Sequence, residues 1–275
     1  MTPKAAALVA LLALSALLAA APATRADNGT SYYVSLGDSF AAGSQPAIVA
    51  DNDQTDQGYA DQLAAMLRPG DPKLRLVKLG CGGESTTSMI NGPSPAWPSC
   101  DPRVYKSRYP HGTQLAEALS FVHAHQGHVA FVTIDIGGND VLAGGGVLAI
   151  DANLPVILAA LRNGAGPDVP IVGMTYYDPF LAKIWFTTFD LTALRAEAAS
   201  HVVNGTLESI YAAFGDPVAE VDQAFSNNDT TIQSDGLPLD VERICDWTWT
   251  CVAGDIHPNA TGYGVIAQAF REALP

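Results

Sequence analysis

The run Val129-Ala130-Phe131-Val132-Thr133-Ile134 is almost unbroken by polar residues, and it restricts the fold more than any other stretch. A strand with one wet face alternates apolar and polar side chains. A continuous apolar run suits a strand buried on both faces, and such strands belong to parallel sheets covered by helices. Further strand-like segments occupy residues 32–36, 74–79, 171–176 and, more weakly, 218–221. Helix-like segments lie between and after them, at 59–67, 113–125, 153–163, 191–214 and 262–273. This alternation predicts a single-domain three-layer α/β/α architecture with a mainly parallel, doubly wound sheet. In such sheets ligands bind beyond the carboxyl ends of the strands.

Three short blocks fall just after predicted strands. Gly37-Asp38-Ser39-Phe40 follows the first, Cys81-Gly82-Gly83-Glu84-Ser85 the second, and Gly137-Gly138-Asn139-Asp140 the third. A fourth block, Asp255-Ile256-His257-Pro258, opens the last helix-like run. A serine hydroxyl is a weak nucleophile until a histidine takes its proton. The oxyanion that forms on an attacked carbonyl needs N–H donors aimed at it. Ser39 and Gly83 can each offer a backbone N–H, Asn139 a side-chain amide, and His257 the base.

In their order and context the four blocks resemble the SGNH (GDSL) hydrolase family of esterases and lipases. The resemblance spans residues 32–273, and the secreted actinobacterial lipase-like members look most similar, through Leu-Gly-Cys-Gly-Gly-Glu-Ser and Asp-Ile-His-Pro-Asn. It implies a flavodoxin-like fold, ester hydrolysis through Ser39 and His257, and an oxyanion hole from Ser39, Gly83 and Asn139, with no metal or organic cofactor. One departure stands out. The family pattern puts the acid three residues before the histidine, where this chain has Gly254. Asp255, two residues before His257, is the candidate acid, and a backbone carbonyl orienting the ring is the alternative. The G-x-S-x-G elbow of α/β-hydrolases is incomplete, because Ala41 takes the last glycine position. That favours a serine at the start of a helix, where the helix dipole would assist developing negative charge.

The chain opens Met1-Thr2-Pro3-Lys4 and then runs from Ala5 to Ala21 almost without polarity. A basic start, an apolar stretch and small residues before a cut site read as a secretory signal peptide, residues 1–26, cleaved after Ala23 or Ala26. A membrane anchor is the rival. No later stretch reads as apolar enough to cross a bilayer, so residues 27–275 are expected to form one extracellular hydrolase domain. A formal charge of −14 argues against nucleic acid, whose phosphates need Lys and Arg, and disfavours strongly anionic membranes. The expected partner is a small-molecule or lipid ester, with at most transient contact with a lipid surface, and the chain is expected to be a monomer. Four cysteines in an exported chain suggest disulfides. Cys245 and Cys251 are near neighbours, which leaves Cys81 for Cys100, although sequence alone allows other connectivities. Zinc is the rival reading, and neither spacing has a Cys-x-x-Cys pair.

Other conspicuous residues have blander readings. His123, His125 and His128 fall at a helix end, as solvated histidines do. The acidic run from Asp51 to Asp56 fails the EF-hand pattern and reads as a polar loop. Residues 180–189 are densely aromatic, as an acyl pocket, a lipid-facing rim or plain core packing would require. Trp247 and Trp249 either line the same cleft or pack nearby. The expected activity is secreted serine esterase or lipase chemistry on carboxylic esters. The alternatives are a carbohydrate acetylesterase and a catalytically silent binding module on the same scaffold.

Overall fold

The computed structural model describes residues 29–46, 54–101, 109–186 and 191–275, with side chains of 191–197 excluded. The signal-peptide segment, the Asp51–Asp53 part of the acidic run and the end of the aromatic stretch lie outside these residues. The strands are β1 (Ser31–Gly37), β2 (Leu74–Lys78), β3 (Val129–Asp135), β4 (Ile171–Met174) and β5 (Val218–Ala219). The helices are α1 (Ser39–Ala42), α2 (Tyr59–Leu67), α3 (Thr86–Asn91), α4 (Gln114–Ala124), α5 (Gly138–Leu142) and α6 (Gly146–Ala165). They continue with α7 (Leu181–Phe186), α8 (Leu191–Phe214), α9 (Val221–Ala224), α10 (Leu239–Trp247), α11 (Thr250–Ala253) and α12 (Ala260–Ala273).

The five strands run in the order β2-β1-β3-β4-β5, and every pairing is parallel. The first crossover goes one way along the sheet and the later ones go the other way. The strand order reverses between β1 and β3, which is where a doubly wound sheet opens its crevice. One face carries α2 and α12, joined by the stacked rings of Tyr59 and Phe270 at 4.7 Å. The other carries α4, α6 and α8, with α3 beside them. β3 is buried along nearly its whole length, as its unbroken apolar run requires. Tyr33 on β1 stacks on Phe131 of β3 at 4.4 Å and so fills the space between the central strands and the helices.

Two expectations need correction. The third predicted helix begins at Gly146 rather than near Asn153 and carries Pro155 in its interior. Proline favours the first helical turn, but Ile150, Leu154, Ile157, Leu158 and Leu161 form one buried stripe that continues past it. The same helix is long and apolar enough to cross a membrane by length and composition, against the reading that no segment after the leader is. Its contacts with α3, α4, α5 and α8 and its buried stripe mark it as a covering helix of the sheet.

Both expected disulfides form: Cys81 with Cys100, and Cys245 with Cys251. The first closes a loop over a sequence separation of 19 residues. By loop entropy a bridge of that span contributes about 3 kcal/mol. The C81S/C100S double variant should therefore melt roughly 5–10 °C below the parent. Calorimetry of both proteins, fully oxidised, checks this.

Candidate active site

Ser39 is the first residue of α1, at the carboxyl end of β1. The turn before it is tightly held. Gly37 has φ +135°, and a Cβ there would lie 2.2 Å from the Asp135 carbonyl oxygen. Only glycine lets β1 and β3 stay this close. Asp38 caps α1, its Oδ1 accepting the Phe40 N–H at 2.9 Å, while Oδ2 accepts the Tyr176 hydroxyl at 3.2 Å. Asp135, fully buried at the end of β3, accepts the Ala41 N–H at 3.2 Å and the Tyr59 hydroxyl at 2.7 Å. Burial and the neighbouring Asp38 charge push Asp135 well above the usual carboxylate range. α1 spans a single turn. The expected contribution of a helix dipole is therefore small, and individual N–H groups must supply the field at Ser39.

The Gly83 turn leaves the end of β2. Its carbonyl accepts the Trp97 indole N–H at 2.5 Å, and the Cys81–Cys100 bridge fixes its base. Neither the Ser39 N–H nor the Gly83 N–H has a hydrogen-bond partner among the described residues. Asn139, on α5 beyond β3, points its Nδ2 into the same corner. It donates to the Glu84 carbonyl at 3.0 Å and to Asp38 Oδ2 at 3.3 Å. Three loops from three adjacent strands thus bring Ser39, Gly83 and Asn139 together, as the sequence order of the blocks implied.

His257 arrives from the far end of the chain. α11 ends at Gly254, whose φ of +66° turns the chain back, and the Cys245–Cys251 bridge ties α11 to α10. Asp255 Oδ1 then lies 2.7 Å from His257 Nδ1 and also accepts the His257 N–H at 2.8 Å. Of the two candidate orienting groups, the carboxylate makes the contact. No carbonyl among the described residues does. Burial pushes Asp255 up, but the hydrogen bond and charge of His257 outweigh it and hold the carboxyl below its usual range. The loop is anchored by the Tyr177 hydroxyl, which donates to the Ile256 carbonyl at 2.5 Å. No hydrogen bond joins Ser39 Oγ to His257. The partner of the hydroxyl is Asp38 Oδ1, at 3.5 Å. In substrate-free sites such bonds are commonly long and tighten on binding.

Beside Ser39 and Asn139 opens a cavity of about 330 Å³. Phe40, Val141, Leu142, Phe180 and Val203 form its apolar wall. Of the aromatic stretch, Phe180 lines this cavity, while Trp185 and Phe186 are exposed. Trp247 and Trp249 do not line it. Trp247 packs edge-on against Phe225, and Trp249 donates to Gln45 Oε1 at 3.1 Å. His125 stacks on Phe121 at 4.1 Å. Among the described residues, metal-ligating atoms gather only at Cys81, Glu84 and Cys100. The sulfurs there are bonded to each other, leaving a single carboxylate.

A profile for the GDSL-like lipase/acylhydrolase family matches residues 35–265. The chain belongs to this family. A search of curated protein sequences gave no match. Among solved structures, this GDSL-family chain is similar to phospholipase A1 from Streptomyces albidoflavus, with 16% identity, 89% of this chain and 100% of that one covered, and a TM-score of 0.52. It is also similar to an extracellular lipase from Streptomyces rimosus, with 17% identity, coverage of 89% and 100%, and a TM-score of 0.53. A third relative is Est24, a carbohydrate acetylesterase from Sinorhizobium meliloti, with 14% identity, coverage of 88% and 97%, and a TM-score of 0.52. At these identities the likeness establishes the shared fold.

Sequence reasoning missed the polar groups beneath this GDSL-family site: Asp135, Tyr59, Tyr176, Gln114 and Glu84. Glu84 is 1% exposed, and burial raises it from 4.5 to about 7. The fold therefore favours its neutral form. The stability it contributes is complete below the unfolded value and is lost as pH rises through about 7. Glu84→Gln removes that dependence. The melting temperature of the variant, measured relative to the parent, should climb between pH 5 and pH 8. A constant difference across that range would show that Glu84 does not titrate there.

Proposed function

We propose that this protein is a secreted serine hydrolase of carboxylic esters, with lipase-like preference for an acyl chain longer than acetyl. The observation that carries the chemistry is the Asp255–His257 contact of 2.7 Å in the same fold corner as Ser39 and two unpartnered N–H groups. In this reading Ser39 Oγ attacks the ester carbonyl carbon while its proton passes to His257 Nε2. Asp255 holds the ring so that Nδ1 carries the hydrogen, and it stabilises the imidazolium. The oxyanion accepts the N–H groups of Ser39 and Gly83. Asn139 Nδ2 joins them by giving up its longer contact, the one to Asp38 at 3.3 Å. His257 returns the proton to the departing alkoxide. Water then attacks the acyl-Ser39 carbonyl carbon and loses its proton to His257, the acyl–Oγ bond breaks, and His257 returns the proton to Ser39 Oγ. The pair of disulfides and the apolar leader support export.

The apolar cavity beside Ser39 supports an acyl chain over a bare acetyl group. Rates on p-nitrophenyl esters should rise from acetate to medium-length chains. Val203→Trp, which fills the cavity, should reverse that order while retaining hydrolysis of acetate. Preference for acetate in the parent would favour the acetylesterase reading. Ser39→Ala should lower kcat by about 10⁴-fold or more, with His257→Ala close to it. Asp255→Asn should keep the fold and cut kcat by roughly 10³–10⁴, since an amide favours the wrong tautomer. Steady-state kinetics with unfolding curves for each variant check this. A loss below tenfold for Asp255→Asn would give its role to the backbone.

A further inference from the structure

We infer that Glu84 is the positioning residue of the oxyanion hole, linking all three donor-bearing turns through its main chain and its buried carboxyl group. The inference rests on the ester-hydrolase reading above. Glu84 follows Gly83 directly, so the Gly83 N–H moves with it. The Glu84 carbonyl accepts Asn139 Nδ2 at 3.0 Å. Its carboxylate reaches the third donor through Gln114. Gln114 Nε2 lies 3.1 Å from Glu84 Oε2 and 2.9 Å from the Gly37 carbonyl, while Gln114 Oε1 accepts the Gly37 N–H at 2.7 Å. Gly37 is two residues before Ser39. The carboxamide thus clamps the turn that carries the nucleophile.

Glu84 reinforces the direction of that clamp. Its Oε2 accepts from Gln114 Nε2, on the same side as the Gly37 carbonyl, which leaves Oε1 for the Gly37 N–H. The Ser88 hydroxyl likewise donates to Glu84 Oε1. Ser88 Oγ is then free to accept the Ser85 N–H at 2.9 Å, which closes the cap of α3. Ser99, beside the Cys81–Cys100 bridge, donates at 3.4 Å. Tyr109 meets the same Gln114 Nε2 at 3.0 Å and donates onward to the Leu79 carbonyl at 2.5 Å. Asp38 is the nearby charge that acts on Glu84, and no cation pairs with it among the described residues. A carboxylate this buried, with only neutral donors around it, costs stability. Its geometry is spent on the three turns that hold the donors.

The test is a cycle of Glu84→Gln and Asn139→Ala, with Ser39→Ala run alongside. If Glu84 acts through the hole, Glu84→Gln should lower kcat about tenfold or more while KM stays within about twofold, because the affected bonds strengthen in the transition state. With Asn139 already replaced, the same change should cost less than about threefold, as coupled groups are not additive. An equal factor in both backgrounds, or a loss confined to KM, overturns the proposal. If Glu84→Gln does not fold, Ser88→Ala carries the same comparison: a fall in kcat that vanishes in the Asn139→Ala background supports the proposal, and an undiminished fall overturns it. Substantial activity in Ser39→Ala would sink the hydrolase reading itself. An inactive Ser39→Ala with a purely multiplicative cycle would sink only the role of Glu84.

Discussion

The contact between the end of β3 and the turn after β1 underlies the rest of this site. Asp135 accepts backbone N–H groups of Asp38 and Ala41, and its own carbonyl accepts Asp38 N–H at 3.1 Å. The Ser39 turn is therefore hung from the neighbouring strand rather than from its own. Because β1 and β3 are the strands between which the sheet order reverses, the loops leaving them must diverge to opposite faces, and the crevice between them is left open. Asn139 leaves from one side and Ser39 from the other. Asp38 accepts from Asn139, Tyr176 and Phe40 and so closes the gap by hydrogen bonds where the backbone cannot.

The fold was legible because its signal is local. The unbroken apolar run at Val129 suited a strand covered on both faces, and the alternation of strand-like and helix-like segments pointed to a wound sheet. Ser39, Gly83, Asn139 and His257 were legible for a related reason. Each sits in a short block whose glycines or prolines mark a turn at a strand end or a helix start. Gln114 and Tyr59 also sit at helix starts after glycines, but neither residue type at such a place signals a role at a distant turn. They open ordinary helices, α4 and α2, and their hydrogen bonds span sequence separations of 77 and 76 residues. Nothing in a local window distinguishes a helical glutamine in water from one clamping a buried turn. The cavity wall was hidden in the same way, since Val141 and Val203 come from different helices. The start of α6 was placed too late, at residue 153, whereas the helix and its buried stripe begin ahead of it, with Ile150 already facing the core.

Much of the polar chemistry under the site works against stability. Asp38, Asp135 and Glu84 are all buried, and each carboxyl is raised above its ordinary value chiefly by desolvation. In an ordinary core these positions would be filled by apolar side chains. Here the covalent cross-links sit beside the same turns, Cys81–Cys100 next to Glu84 and Cys245–Cys251 ahead of His257. The bridges offset part of what the buried acids cost, at the places where that cost falls.

The spacing of Asp255 and His257 has a consequence for motion. In many serine hydrolases the acid and the histidine come from separate elements, and any shear between those elements breaks their bond. Here one residue separates them, and a single carboxylate oxygen holds both the ring and the main-chain N–H of His257. The loop closed by that bond is so short that forming it costs little chain entropy. The acid and the base therefore travel together as one rigid cartridge. Any displacement of the segment after α11 would carry both residues and leave the bond between them intact, so the one contact still to be made is that between Ser39 Oγ and the ring.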